Sequence, residues 1–123
     1  MQINIDASKI DATPSLKKYA ISKLGALSKL VLRYEKENGE TELFLELSRS
    51  TKHHKRGEIF YAEAMMQLPG KGLRAECFDE DIRAAIDKVK DMLRADIAKY
   101  KGAFGAKSVR HARGRKSKEK GVY

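Results

Sequence analysis

The segment Pro69-Gly70-Lys71-Gly72 lies between two alternating apolar runs, and a long amphipathic stretch follows the second run. Ala64, Met66 and Leu68 precede it at every second position, and Leu73, Ala75 and Cys77 follow in the same way. Proline and glycine between two such runs predict a β-hairpin. From Asp79 to about Lys101 the period changes from two to 3.6. Ile82, Ile86, Val89, Leu93, Ile97 and Tyr100 fall on one stripe of a helix, which must be buried. A second stripe on that helix is basic. Arg83, Lys90, Arg94 and Lys101 are spaced by seven, four and seven residues. At 100° per residue they return to nearly one angle, along about 27 Å of helix. A row of cations on a rigid rod points to a polyanion. The plain alternative is a solvated helix face, since Lys and Arg are good helix formers.

The rest of the chain supplies the partners for this unit. Ile3, Ile5 and Ala7 alternate with Gln2, Asn4 and Asp6, which predicts a half-buried strand. Thr13-Pro14 combines an N-cap with proline at the first helical position. The helix it opens is expected to run to about Val31, burying Leu16, Ala20, Leu24, Leu27 and Val31. Gly25 lies opposite that face and weakens the helix. A polar loop is expected over 35–40, with Asn38-Gly39 as its turn. Leu43, Leu45 and Leu47 mark a second strand. A basic hairpin loop over 49–57 contains His53 and His54. Phe60, Ala62, Ala64, Met66 and Leu68 mark the core side of a third strand, and Leu73 to Phe78 forms a fourth.

The predicted order is β-α-β-β-β-α, an α+β fold. Strands two to four form an antiparallel meander, and the helical crossover makes strand one pair parallel with a neighbour. The economical assembly is a four-stranded mixed sheet with two helices packed on one face. The other face, with Asn4, Phe44, Glu46, Tyr61, Glu63, Arg74 and Glu76, stays wet.

Charge divides the chain. Its 123 residues carry a net +9. Residues 1–101 hold 19 basic and 16 acidic side chains, whereas 102–123 hold seven basic and one acidic. A single domain is therefore expected over 1–101, with a basic tail over 102–123 that is disordered when free, having little apolar surface to offset its ordering entropy. Lys107, Arg110, Arg113, Arg115 and Lys116 in this tail favour an acidic partner, most often nucleic acid.

Several classes of function find no support. Cys77 is the single cysteine, so a disulfide framework and a multi-cysteine metal site are excluded. His53 and His54 read as a polar hairpin tip, which beside Lys52, Lys55 and Arg56 can touch phosphates. Asp79-Glu80-Asp81 reads as the cap of a helix. There is no nucleophile pattern and no phosphate-binding glycine loop, so no enzyme, cofactor, metal or small-molecule substrate is expected. No apolar run is long enough to span a membrane, and no signal peptide opens the chain. A cytoplasmic protein, monomeric when free, is the expectation. Lys23 sits in the middle of the apolar stripe of the first helix. Either it snorkels out between the helices or it meets a ligand in an open groove.

The opening strand, Thr13-Pro14, Leu16-Lys17 with Tyr19, Lys23-Leu24 and Leu27-Ser28-Lys29 form a familiar series. It continues with Leu68-Pro69-Gly70, Leu73-Arg74-Ala75, Glu80-Asp81-Ile82, Ala84-Ala85-Ile86-Asp87 and Tyr100-Lys101. In order and spacing this resembles the ribosome hibernation-promoting factors, the ribosome-associated inhibitor and sigma-modulation-like proteins of bacteria. The resemblance covers residues 1 to about 101. It implies a β-α-β-β-β-α fold similar to double-stranded-RNA-binding domains. It also implies a non-catalytic protein that binds the small ribosomal subunit and its ribosomal RNA, fills the channel of messenger and transfer RNA, and blocks translation in resting cells. Carried over by position, it supports RNA contact by Lys17, Lys23 and Lys29 in the first helix and by Lys99 and Lys101 in the last. It therefore favours RNA contact for Lys23.

Two departures stand out. Met92 occupies a position where the family often has lysine, with Arg94 close enough to replace its charge. The second domain through which longer members pair ribosomes has no counterpart here, so ribosome pairing by this chain alone is not expected. Two other readings stay open: a regulatory module that binds an acidic protein surface, and a general double-stranded-RNA binder that reads shape.

Overall fold

In the computed structural model the described residues are 1–50 and 59–112, with side chains described as far as Ala103. The chain runs β1 (Gln2–Asp6), α1 (Pro14–Gly25), α2 (Ser28–Asn38), β2 (Glu42–Ser50), β3 (Ile59–Leu68), β4 (Lys71–Asp79) and α3 (Ile82–Ala112). The four strands form one sheet in the order β1-β2-β3-β4. β1 pairs parallel with β2, and the other two pairs are antiparallel. The expected mixed sheet and meander are therefore present. Residues 51–58, with His53 and His54, lie outside the described residues.

Local chemistry accounts for most element ends. The Thr13 hydroxyl accepts the Leu16 N–H at 3.1 Å, and Pro14 occupies the first turn of α1. The β3–β4 turn is closed by Pro69 and Gly70, with Leu68 opposite Lys71. Gly70 has φ +75°, the left-handed value a type II turn requires after proline. At the start of α3, Asp81 accepts the Arg83 N–H at 3.0 Å, and Asp79 accepts the Asp81 N–H at 2.9 Å. The acidic run is a cap, as read from sequence.

Three boundaries differ from expectation. The helix after Thr13 is two helices, not one ending near Val31. Following Gly25, the Ala26, Leu27 and Leu30 amides bond three residues back, to Lys23, Leu24 and Leu27. These tighter turns break the α-helical ladder and re-aim the chain, while Leu24, Leu27 and Val31 all stay buried. Second, residues Glu35 to Asn38 belong to α2 rather than to a loop. Asn38 Nδ2 donates to the Tyr34 carbonyl, and Gly39 with φ +88° ends the helix. Third, α3 ends at Ala112, eleven residues beyond the expected Lys101. Alanine, lysine and arginine over 103–112 are strong helix formers, and Gly102 and Gly105, at about 1 kcal/mol each, do not stop it. The basic tail expected from residue 102 thus begins as helix; residues 113–123 lie outside the described residues.

The core lies between the helices and one sheet face. Leu16, Ala20, Leu24, Leu27, Val31 and Tyr34 come from α1 and α2. They meet Leu43, Leu45, Leu47, Ala62, Ala64, Met66, Leu68, Leu73 and Ala75 of the sheet, and Ile86, Val89, Leu93 and Ile97 of α3. Ala62, Ala64 and Ala75 are buried and small, which leaves room for the helices to approach the sheet. The Tyr34 and Tyr100 rings meet edge to face at 5.2 Å, and the Tyr100 hydroxyl donates to the Pro69 carbonyl at 2.7 Å. That bond fixes α3 to the β3–β4 turn. All helices lie on one side, so the outer sheet face is open. There Phe44, Met65 and Phe78 are about half exposed.

Candidate nucleic-acid interface

The seam between α1 and α3 brings together side chains distant in sequence. Tyr19 of α1 donates its hydroxyl to both oxygens of Asp87 on α3, at 2.7 and 2.9 Å. Two cations flank its ring. Lys23 Nζ lies 5.5 Å from the ring centroid and the Arg83 guanidinium 4.8 Å. Lys23 Nζ is also 3.9 Å from Asp87, and Arg83 Nη2 is 3.3 Å from the Ser15 hydroxyl. The carboxylate therefore holds the tyrosine, and the tyrosine ring seats both cations. Each cation–ring contact contributes about 0.5–1 kcal/mol at such exposure. The Tyr19 hydroxyl titrates above its ordinary value, because it donates to a carboxylate and is partly buried.

Lys23 thus does snorkel: its side chain is 42% exposed, although its neighbours Leu16, Leu24 and Leu27 are buried. Its ammonium is open to solvent, where a phosphate can approach. Further along the seam, Arg94 and Lys101 line a hollow of about 290 Å³ with Leu30 and Ile97. Lys90, largely covered, lies between the two clusters on the same helical stripe, 3.8 Å from Asp91. The row Arg83, Lys90, Arg94 and Lys101 thus follows the helical layer, joined at one end by Lys23.

The remaining sequence candidates are not gathered into this cluster. Lys17, Lys29 and Lys99 are exposed on α1, α2 and α3. Lys107 and Arg110 belong to the last turns of α3, and no side-chain placement is described for them. Arg113, Arg115 and Lys116 lie outside the described residues. Met92 is exposed, two residues from exposed Arg94.

Sequence reasoning gave Tyr19 and Asp87 only places in a series of motifs. A signal was present. Tyr19 and Lys23 are four apart, as are Arg83 and Asp87, so each helix offers a neighbouring pair on one face. Nothing in the sequence says that the two pairs meet.

A profile described as "Sigma 54 modulation protein / S30EA ribosomal protein" matches residues 3–103. The chain belongs to that family. The match spans the seam and all of the sheet but Gln2, and it ends nine residues before α3 does. Among solved structures, the chain is similar to the N-terminal domain of Protein Y from Thermus thermophilus. The two are 28% identical, with a TM-score of 0.59 over 81% of this chain and 99% of that one. A ribosomal subunit interface protein from Coxiella burnetii is 20% identical, with a TM-score of 0.61 over 83% of this chain and 99% of that one; it shares the fold. A search of curated proteins gives no match. No described helix of this family member is long and apolar enough to cross a membrane.

Proposed function

We propose that this protein is a ribosome hibernation factor that binds the small subunit in the channel of messenger and transfer RNA and so inhibits translation. The observation that carries this reading is the Lys23–Tyr19–Arg83 cluster, fixed by Asp87 and continued by Arg94 and Lys101. Cations held in place by a ring and a carboxylate suit a phosphate backbone, because their side chains lose little further freedom on binding. Family membership supplies the ribosomal context.

The mechanism is steric. Phosphate contacts and counterion release hold a compact basic wedge against ribosomal RNA. The wedge occupies space that messenger and transfer RNA need. No bond is made or broken, so no acid, base or cofactor is required. Lys17, Lys29 and Lys99 add exposed charge elsewhere on the helices, and the basic residues from Lys107 onward add to the total.

Competition tests this directly. Vacant small subunits should bind the purified protein, and subunits carrying messenger and transfer RNA should bind it far more weakly. Equal affinity for both would sink the steric mechanism while leaving ribosome association standing.

A further inference from the structure

The open sheet face contrasts with the helical layer. Strand register places three residues of β2, Glu42, Phe44 and Glu46, on this face at two-residue intervals. Phe44 pairs across the sheet with Met65, and the two side chains are 48% and 45% exposed. They form an apolar ridge with a hollow on each side. One hollow, of about 690 Å³, is bordered by Glu40 and Glu42, with Arg74 across it. The other, of about 300 Å³, is bordered by Asp6, Glu46 and Glu63. Five carboxylates and one guanidinium thus surround the ridge in a chain whose net charge is +9.

Some of this charge is answered locally. Lys9 lies 3.3 Å from Glu46, the Met1 amino group 3.5 Å from Glu40, and Arg74 bonds Glu63 and Glu76. The balance around the ridge is still negative. RNA is repelled by it, and so is the same face of a second copy. The face lies on the opposite side of the sheet from the proposed RNA contacts, so both surfaces can be occupied at once.

We propose that this face docks an extended, arginine-rich segment of a partner protein. Residues i and i+2 of an extended peptide point the same way, about 6.6–6.8 Å apart. That repeat equals the spacing of Glu42, Phe44 and Glu46 along β2. A segment lying along the strand therefore meets the order acid, apolar, acid with the order arginine, apolar, arginine. Arginine suits the hollows better than lysine. Its planar fork pairs with carboxylates in bidentate fashion, which a lysine ammonium cannot do.

The probe is a fluorescein-labelled peptide repeating arginine–serine–leucine–serine, titrated against the full chain by anisotropy. Saturable binding that weakens with salt is expected, and replacing each leucine by serine should weaken it about tenfold. The double variant Phe44→Thr, Met65→Thr should also lose about tenfold, with its fold intact because both side chains are half exposed. A second variant, Glu42→Gln with Glu46→Gln, should bind more weakly and with a shallower salt dependence. The proposal is overturned if the parent chain shows no saturable binding, or if both variants bind as it does. It is also overturned if a chain ending at Ala112 binds the peptide tenfold more tightly, since the basic residues 113–123 would then be the occupant. None of these readouts involves the ribosome, so they stand apart from the test of the hibernation reading.

Discussion

Asp87 puts a negative charge where a phosphate is expected to bind, and Asp87→Asn decides which of its two effects prevails. The first effect is repulsion. A phosphate held by Lys23 on the side away from Asp87 sits about 7 Å from the carboxylate, and repulsion in water at that distance is about 0.6 kcal/mol. The water value applies because Asp87 is 41% exposed, and physiological salt lowers it further. Removing the charge should on this count tighten binding, by less than about threefold. The second effect is order. Asp87 holds the Tyr19 hydroxyl at 2.7 and 2.9 Å and stands 3.9 Å from Lys23. Without the carboxylate, Tyr19 loses a charge-assisted bond, and Lys23 and Arg83 lose a fixed seat. Each long side chain then has to be ordered on binding, at about 0.5–1.5 kcal/mol.

Two such side chains, partly ordered still by the asparagine and the ring, cost about 1–2 kcal/mol. Subtracting the relieved repulsion leaves a net loss of about 0.5–1.5 kcal/mol, or affinity weaker by about two- to tenfold. Tyr19→Phe keeps the ring and removes the anchor, so a smaller loss in the same direction is expected. The assay is a titration against vacant small subunits at two salt concentrations, with circular dichroism and melting as controls. Plain charge counting predicts the opposite sign for Asp87→Asn. If that variant is folded and binds as tightly as the parent or more tightly, Asp87 is a counter-charge only and preorganisation of the seam is wrong.

Three further outcomes follow from other parts of the chain. Leu93→Ala, at a fully buried position between α3 and the sheet, should lower stability by about 2–5 kcal/mol in urea unfolding; a loss under about 1 kcal/mol would mean the core there is loosely packed. The Glu35 carboxylate accepts the Thr41 N–H at 2.9 Å, and with the Met1 amino group 3.0 Å away it titrates below its ordinary value of 4.5. Its contribution is therefore present above that value and lost as pH falls through the lower, folded value. Glu35→Gln should be less stable than the parent at pH 7, by about 1 kcal/mol, and the gap should close in acid; a gap unchanged down to pH 3 would place the effect elsewhere. Ending the chain at Lys101 removes seven cations. That should lower the slope of log affinity for the subunit against log salt by about 2 to 5, since each phosphate neutralised adds roughly 0.7–0.9, and an unchanged slope would make residues 102–123 a bystander.

The features legible in the sequence are those whose cause is local. Alternation of Leu43, Leu45 and Leu47, the Pro69-Gly70 turn, the Thr13-Pro14 cap and the stripe from Ile82 to Tyr100 each encode a period or a dihedral angle within a few residues. The parallel pairing of β1 followed as well, because a helical crossover leaves few alternatives. One misjudged boundary, the end of α2, was settled by distant partners. Glu35 to Asn38 looked like a loop because every side chain there is polar, yet Tyr34 just before them is buried against Tyr100, and Glu35 pairs with the Met1 amino group at 3.0 Å. Tertiary contacts hold that turn of helix, and no window of sequence contains them.

The two faces of the domain were unequally readable for the same reason. The basic row on α3 could be counted from spacing alone, since one helix carries it. Its organisation could not, because Tyr19 and Asp87 are 68 residues apart and only the packing of α1 on α3 joins them. The sheet face needs still more. Asp6, Glu46, Glu63 and Glu76 come from four strands and form one row only at the observed register. A one-residue slip of β2 would turn Phe44 and Glu46 inward and bring Leu45 and Leu47 out. Burial of those leucines therefore fixes the register, and the register in turn builds the acidic and apolar face. On the far side, the same core fixes where α1 and α3 meet, and with that the seat of Lys23 and Arg83. A single hydrophobic layer thus sets the geometry of two surfaces of opposite charge, and substitutions on one surface that spare the core should leave the other unchanged.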